Sequence, residues 1–492
     1  MHALKPTCVA LALSAMGVTA AYAGINVPVI QTCDTSRAAT AYVAKTTGST
    51  STFSFLVGPS KMTPCTILTD LGSSEPALAI RKDGTLVYAP VHFPNGDIGV
   101  MRSKDNGSTW NATVPLLPDG TPHKRVQPSM YMEPQTEKLF FATSRSTFSP
   151  LHIETGMDMS ISDDGGETWR YKLLNEFKGI DWIKYSAGPG KTSTPVGFPK
   201  VMYISGPTPI STPAIITVPK EHQVLKSLDG GETWAHAGGF DIHLNSNSCP
   251  ITEYILMGSS TVTPDGTVYI AGRRCQKVAV ATSKDEGKTW SVVDLPNTKL
   301  LLGLTPAAIA LNADFVLTQP ITSDAQGNLY VLYTDEKNLL RLTTSRDKGT
   351  TWSAPVVISA PKVNSAHLTS LTVKSPGQIA IAYYGAENTD GLGKFNAYVA
   401  ESSNVFSANP SFKSQVLNTP TAPLFPRGFD ANYLGMFIGG DLAELTQIQY
   451  APNGDLFVSL IQDMCPDTFS CTWDFKAHNG SKFRAMVGRI KH

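Results

Sequence analysis

Charge is scarce in these 492 residues: Asp, Glu, Lys and Arg make up 16% of the chain, and 40 basic residues balance 40 acidic ones. Globular chains usually carry about a quarter. With no basic stripe, nucleic acid is not an expected partner. Beyond the N-terminal region no apolar run is long enough to cross a bilayer, so no membrane span is expected. No CxxC or Cys/His cluster offers a zinc site, and no P-loop, metal-ligand run or Ser-His-Asp order points to other chemistry. No metal site and no cofactor are expected on these grounds. The stretch Ser162–Gly166 (SDDGG) is superficially like a calcium loop but lacks the downstream Glu ligand, and a structural calcium elsewhere is left open.

The first residues have the form of a secretory signal. Lys5 gives a weakly basic start, Val9–Ala20 is apolar, and Ala21-Tyr22-Ala23 is a small-x-small cleavage site before Gly24. Residues 1–23 are therefore read as a signal peptide, and the mature chain as exported, extracellular or periplasmic. Removing the signal leaves Cys33, Cys65, Cys249, Cys275, Cys465 and Cys471. Six cysteines permit 15 pairings, of which neighbour pairing (33–65, 249–275, 465–471) is the simplest. Asn106, Asn111 and Asn479 sit in Asn-x-Ser/Thr sequons, which matter only in a host that glycosylates.

Gly (40) and Pro (34) are plentiful, as suits many short strands joined by turns. One phrase, Ser-x-Asp-x-Gly-x-Thr-Trp, occurs five times: Ser103–Trp110, Ser162–Trp169, Ser227–Trp234, Ser283–Trp290 and Ser345–Trp352. The period near 60 residues implies stacked or radially arranged units. Ser and Asp can cap backbone N–H groups, Gly tolerates positive φ, and Trp supplies a packing anchor. Upstream of each copy, apolar alternation flanks a Gly turn, as in Pro76–Pro90, Ser260–Gly272, Pro320–Tyr333, Leu371–Tyr384 and Gln447–Gln462. Each unit then reads strand, Gly hairpin, strand, loop, strand, phrase, strand, which is a four-stranded propeller blade. The fold class is all-β, a β-propeller over 76–492 with seven blades or, alternatively, six. In the sixth unit the phrase has decayed, with Phe412 at the position of the Trp. The seventh lacks a fourth strand, which Thr52–Val57 within the N-terminal segment 24–75 is expected to supply.

The phrase is the Asp box, and the chain resembles the sialidase-like, BNR-repeat β-propellers. That resemblance implies that the boxes lie on the face away from the active site. It does not settle function, since glycosidases, polysaccharide lyases and non-catalytic binders share the box.

Antiparallel connectivity puts the Gly hairpins and boxes on one rim. The strand 2–3 loops and the connections between blades share the other, where functional residues are expected. Candidates there from the 2–3 loops are His92, Arg145, Arg273, Arg274, Tyr333, Asp335, Tyr384, Glu387 and Asp463. From the connections come His123, Lys124, Arg125, Asp181, Trp182, Glu253, Tyr254, His367, Arg427, Asp430 and Tyr433. Arg, His, Tyr and carboxylates together suit an anionic carbohydrate, Arg as a bidentate fork for a carboxylate and Trp182 as a stacking platform. By resemblance, a sialidase needs an arginine triad, an Asp acid/base and a Tyr nucleophile activated by Glu. Glu253 and Tyr433 are the candidates for that pair, with Arg273 or Arg274, Arg427 and Arg145 on the substrate. Two departures stand against it: Ser74 occupies the place of the family's first arginine, and Val91-His92-Phe93 replaces the expected Asp. The expected function is an exo-acting glycosidase on an acidic sugar. The alternatives are a non-catalytic glycan- or protein-binding propeller, or a uronate lyase with His92 or His123 as base.

Overall fold

The computed structural model describes residues 24–492 except 48–49, 57–60, 124–127, 145–146, 150–151, 155, 178–182, 209–220, 241–256, 275, 301–318, 388–393, 427–446 and 465–482. Every named element among the described residues is a β-strand, and every pairing between them is antiparallel. Sheet two comprises Ser129–Met132, Leu139–Ser144, Met157–Ser162 and Arg170–Leu174. Sheet three runs through Lys184–Gly188, Val201–Pro207, His222–Ser227 and Ala235–Phe240. Sheet four takes Met257–Val262, Val268–Arg274, Lys277–Ser283 and Ser291–Asp294, and sheet five Ile321–Ser323, Leu329–Thr334, Leu340–Ser345 and Val356–Val357.

Sheet six (Ser365–Ser375, Gln378–Ala386, Asn396–Ser402, Ser411–Val416) is extended outward by Thr40–Thr47 and Thr50–Phe55. A ten-stranded sheet joins two further units at the single pair Gly72↔His92. Sheet one is Ala77–Ile80, Leu86–His92, Ile98–Ser103 and Trp110–Thr113, edged by Ile25–Val27. Sheet seven is Gln447–Tyr450, Leu456–Asp463, Phe483–Lys491 and Thr63–Gly72, edged by Val29–Cys33.

The strand completing the last unit is thus Thr63–Gly72, and not Thr52–Val57. The reason is burial. Cys65, Ile67 and Thr69 point inward at 1% exposure or less, whereas Thr50–Phe55 leaves Phe55 64% exposed. That segment instead hairpins onto Thr40–Thr47, whose Tyr42 stacks on Phe412 at 5.8 Å, covering the place where a box Trp is missing. The sixth box keeps part of its wiring, since Asn404 Oδ1 accepts Ser402 Oγ at 3.2 Å and Ser411 N at 2.9 Å. Cys33 and Cys65 are register partners joined by a disulfide, which staples the edge strand to the closing one. Cys249, Cys275, Cys465 and Cys471 lie outside the described residues.

In the five repeated phrases the Ser hydroxyl accepts the Gly N–H at 2.8–2.9 Å and donates to the Asp carboxylate at 2.8–2.9 Å. The Asp accepts both the N–H and the hydroxyl of the Thr, as in Asp105 with Thr109 at 2.8 and 2.7 Å. Gly107 sits at φ 89°, a region that favours glycine. Trp110 Nε1 donates to Gly107 O at 3.0 Å, while Trp169 turns to Thr113 Oγ1 on sheet one at 3.1 Å and ties two sheets together. Burial alone would raise Asp105, but hydrogen bonds from Thr109 and Ser103 hold it below the ordinary carboxylate value.

The core is divided by interface. Phe141 and Trp169 of sheet two pack on Val87 and Val100 of sheet one, Ile204 on Met159, Tyr203 on Ile270, Tyr269 on Val331, and Tyr330 on Ile379. Ala380 and Val399 of sheet six pack with Val458 and Leu460 of sheet seven, and Phe457 and Val487 of sheet seven with Leu78 and Tyr88 of sheet one. Each sheet therefore buries apolar faces against the next, and the seventh against the first.

Candidate functional site

The first strands of all seven sheets line one cavity of about 320 Å3. Side chains bind neighbouring first strands to one another around it. Gln447 Oε1 accepts Leu78 N at 2.9 Å, Gln449 Oε1 accepts Ile80 N at 3.0 Å, and Ser370 Oγ accepts Ile448 N at 3.0 Å. Ser259 Oγ accepts Ile321 N at 2.6 Å, and Thr261 and Ser323 share a hydrogen bond at 2.9 Å. Tyr131 and Tyr185, also in the lining, stack at 5.4 Å with planes 3° apart.

The two rims are unequal. Apart from 189–200 in sheet three, the hairpins and boxes are short and hydrogen-bonded, whereas the longest connections (241–256, 295–320, 417–446 and 464–482) all leave from and return to the other rim. At that end the cavity lining includes Glu75, Ser129, Lys184, Ser259, Pro320, Thr369 and Gln447, one from each sheet. Glu75 and Lys184 are the charged residues in the lining among those described. Neither was singled out from sequence. Lys184 follows Trp182 by two residues, and Glu75 sits between Ser74 and Pro76, where Ser74 takes the place of the family's first arginine.

His92, at the end of the second strand of sheet one, is fully buried, and its Nε2 lies 3.1 Å from Ser74 Oγ. The residue standing where the family carries arginine is therefore a buried hydrogen-bond partner of this histidine. His123 Nδ1 lies 3.0 Å from Thr143 Oγ1 and Nε2 2.8 Å from Ser160 Oγ, so both ring nitrogens are engaged across two strands of sheet two. Burial pushes its pKa down to about 4, and does the same to His367, whose Nε2 lies 2.8 Å from Ser365 Oγ.

Arg273 is 1% exposed at the end of the second strand of sheet four, on the same strand face as Tyr269 and Ala271, which pack toward sheet five. A cation so deeply buried requires strong hydrogen-bonding or anionic company. Arg274 is bound at 2.7 Å to Asp294, and Arg341 holds Asp335 at 2.5 Å beside buried Tyr333. Tyr384 accepts Ile461 N at 3.0 Å, linking sheets six and seven. Glu387 is exposed, and the Asp463 N–H donates to Leu424 O at 2.9 Å. The structure thus distributes His92, His123, Arg273 and Arg274 over sheets one, two and four rather than joining them in one described cluster. Glu253, Tyr433, Arg145, Arg427, Trp182, Lys124, Arg125, Asp181, Tyr254 and Asp430 lie outside the described residues. Among the described residues no group of three or more His, Cys, Asp or Glu side chains stands together as metal ligands, and no helix is long and apolar enough to cross a membrane.

The profile of the BNR repeat-like domain matches residues 201–416. A sialidase of Paraclostridium sordellii is 26% identical over 264 residues, covering 46% of this chain and 59% of the relative. The chain thus spans about three-fifths of the length of that curated relative. Among solved structures, the intramolecular trans-sialidase of Ruminococcus gnavus is similar with a TM-score of 0.39 at 13% identity, over 85% of this chain and 94% of the other. The α-L-arabinofuranosidase of Fusarium graminearum is similar with a TM-score of 0.38 at 15% identity, over 70% and 93%. The repeat profile and the curated relative uphold the resemblance to the sialidase-like, BNR-repeat superfamily, without a clean match to a true sialidase.

Proposed function

We propose that the protein is an exported β-propeller of seven blades, with 1–23 as its signal and 24–75 contributing outer strands, that acts as an exo-glycosidase on an acidic sugar. The observation that carries this reading is the cavity. First strands from seven sheets surround it, on a scaffold whose longest connections all gather at one rim, where a site belongs. The relative named a sialidase supports the chemistry, and the Cys33–Cys65 disulfide supports an oxidising compartment. Glu253 and Tyr433 are assigned the base and nucleophile, and Arg145 and Arg427, with Trp182, the substrate contacts; Arg273, buried against sheet five, and Arg274, bound to Asp294, are not carried into that set.

A product assay tests the proposal, with purified protein incubated with sialosides and uronate-containing glycans while reducing sugar and ultraviolet absorbance are followed. Released acidic monosaccharide, abolished by Tyr433→Phe or Glu253→Ala in a folded protein, is the expected result. Full turnover in both variants refutes the assignment. A second reading, a non-catalytic glycan-binding propeller, is favoured by Ser74, whose hydroxyl serves His92 where the family's arginine would reach substrate. It predicts glycan affinity without product. A uronate lyase would yield an unsaturated product absorbing in the ultraviolet, but it draws less support. His123 has both ring nitrogens engaged, and His92 is fully buried.

A further inference from the structure

The N-terminal segment runs along the outer edges of several sheets, and two stretches of it are held there by different means. Thr40–Thr47 is held by burial. Tyr42 and Ala44 are 1% exposed or less, Tyr42 stacks on Phe412, and its hydroxyl reaches past sheet six to donate to Ile358 O, just beyond the last strand of sheet five, at 2.8 Å. Ahead of this strand Arg37 Nη1 donates to Val416 O and Asn418 O at 2.8 and 2.7 Å, and Arg37 O accepts Gln415 Nε2 at 3.2 Å. None of these contacts involves a cysteine.

Ile25–Cys33 is held otherwise. It consists of two short edge strands, Ile25–Val27 on Trp110–Ala112 of sheet one and Val29–Cys33 on Cys65–Thr69 of sheet seven, with Pro28 at the crossing. It therefore spans the joint between the last sheet and the first. Val27, 3% exposed, is its one buried side chain, whereas Ile30 is 64% exposed and Thr32 and Cys33 are exposed as well. Short edge strands with so little burial belong to the low-stability end of a fold. What fastens them beyond their ladders is the bridge from exposed Cys33 to Cys65, which is 1% exposed. We propose that Ile25–Cys33 is a redox-gated latch across the joint between sheets seven and one: the Cys33–Cys65 disulfide fastens it, and the dithiol form releases it while the seven sheets and the Thr40–Phe55 hairpin stay folded. The latch is open in a reducing compartment and shut in an oxidising one. Closing it takes two electrons and two protons from the Cys33 and Cys65 thiols and gives them to a disulfide, either oxidised glutathione or that of a thiol–disulfide oxidoreductase. Cys33, as thiolate, attacks one sulfur of that disulfide and expels a thiol; Cys65 then attacks Cys33 Sγ and expels the second. A reducing thiolate that attacks Cys33 Sγ runs the exchange backwards. The latch stands or falls independently of the glycosidase reading.

The test is hydrogen–deuterium exchange of the full chain, read by mass spectrometry on peptides from the three stretches. The chain is taken oxidised, reduced with dithiothreitol after folding, and reoxidised with oxidised glutathione. Cys33→Ser, kept oxidised, separates this bridge from the other cysteines. In the reduced chain and in Cys33→Ser, the amides of Ile25–Cys33 should exchange at least about 10-fold faster than in the oxidised chain. Those of Thr40–Thr47 and Thr63–Gly72 should remain at least about 10-fold slower than the released stretch. Oxidised glutathione should restore protection to the reduced chain and leave the variant unchanged. Exchange at Ile25–Cys33 within about twofold of the oxidised chain, in either the reduced chain or the variant, overturns the proposal. Loss of protection at all three stretches together also overturns it, because the stretch then opens as part of one cooperative unit. If Cys33→Ser does not fold, the chain reduced in place decides, and its wholesale unfolding counts against the latch.

Discussion

His222 opens the third strand of sheet three, is 2% exposed, and has its ring 5.2 Å from that of Phe240; among the described residues neither ring nitrogen has a hydrogen-bond partner. Burial, assisted by the charge of nearby Lys184, pushes its pKa down from 6.5 to about 3. Such a histidine stays neutral in the fold and takes up a proton on unfolding, so stability must fall as the solution is acidified. Its contribution is intact above pH 6.5 and is lost progressively between 6.5 and 3. One pKa unit corresponds to about 1.4 kcal/mol, so by pH 5 His222 removes about 2 kcal/mol. His123 and His367, both pushed by burial to about 4, remove about as much each. Between pH 7.5 and pH 5 these three histidines together should therefore remove about 6 kcal/mol in urea unfolding of the unmodified chain, offset in part by His492, whose pKa the hydrogen bond to Glu401 raises and which gains stability on acidification. In His222→Phe the difference should shrink by about 2 kcal/mol. At pH 7.5 the same variant should gain about 1–3 kcal/mol, because it deletes polar atoms buried without partners. Equal acid losses in the two proteins would refute the reasoning, as would a destabilised variant at pH 7.5.

Three further perturbations test the joints between sheets. Glu286 is fully buried; its Oε1 accepts Lys191 N, Thr192 N and Ser193 N at 2.7, 2.7 and 2.9 Å, and its Oε2 accepts Lys226 Nζ at 3.0 Å. Burial opposes its charge, but these bonds hold its pKa far below the carboxylate range. Glu286→Ala should cost about 3–5 kcal/mol in chemical unfolding, and Lys226→Met added to it should recover part of the loss by removing the stranded charge. Asp105→Ala removes the Thr109 and Ser103 bonds of an exposed turn and should cost about 1–2 kcal/mol, read as a shift in the urea midpoint. Reducing the Cys33–Cys65 bridge, which spans 32 residues, should lower stability by about 3–4 kcal/mol in the same assay, on the chain-entropy account.

What could be read from the chain, and what could not, divides along the two rims. The box rim is built from contacts two to four residues apart: Ser103 to Asp105 and Gly107, Asp105 to Thr109, Trp110 to Gly107. Such local wiring needs the same residue types at the same spacing each time, so the repeat is visible as text and the order of strands follows from it. Where the wiring survives with different atoms, as in Ser402 with Asn404, the text no longer matches and the unit reads as decayed. The closing strand was misplaced for a related reason. Thr52–Val57 and Thr63–Gly72 both alternate, and the choice between them depends on Ile67 meeting Val487, more than 400 residues away, which no local pattern encodes.

The rim of the long connections obeys the opposite logic. Its residues answer to whatever the connections meet across the cavity, so neither spacing nor residue type repeats. His92 and His123 look reactive in sequence because histidine titrates near neutrality, yet burial and hydroxyl partners convert His123 into a neutral strut. Glu75 carries no signal of its own in a stretch that stands out by the arginine it lacks. Its significance lies in a backbone angle that follows from bonds made by Ser73, Ser74 and Pro76 to strands at both ends of the chain. Joining Thr63–Gly72 to Phe483–Lys491 thus completes a sheet and also fixes the segment that presents a carboxylate to the cavity. Weakening that junction should loosen the Ser73–Pro76 segment, read as faster amide hydrogen exchange there, before it unfolds the remaining sheets.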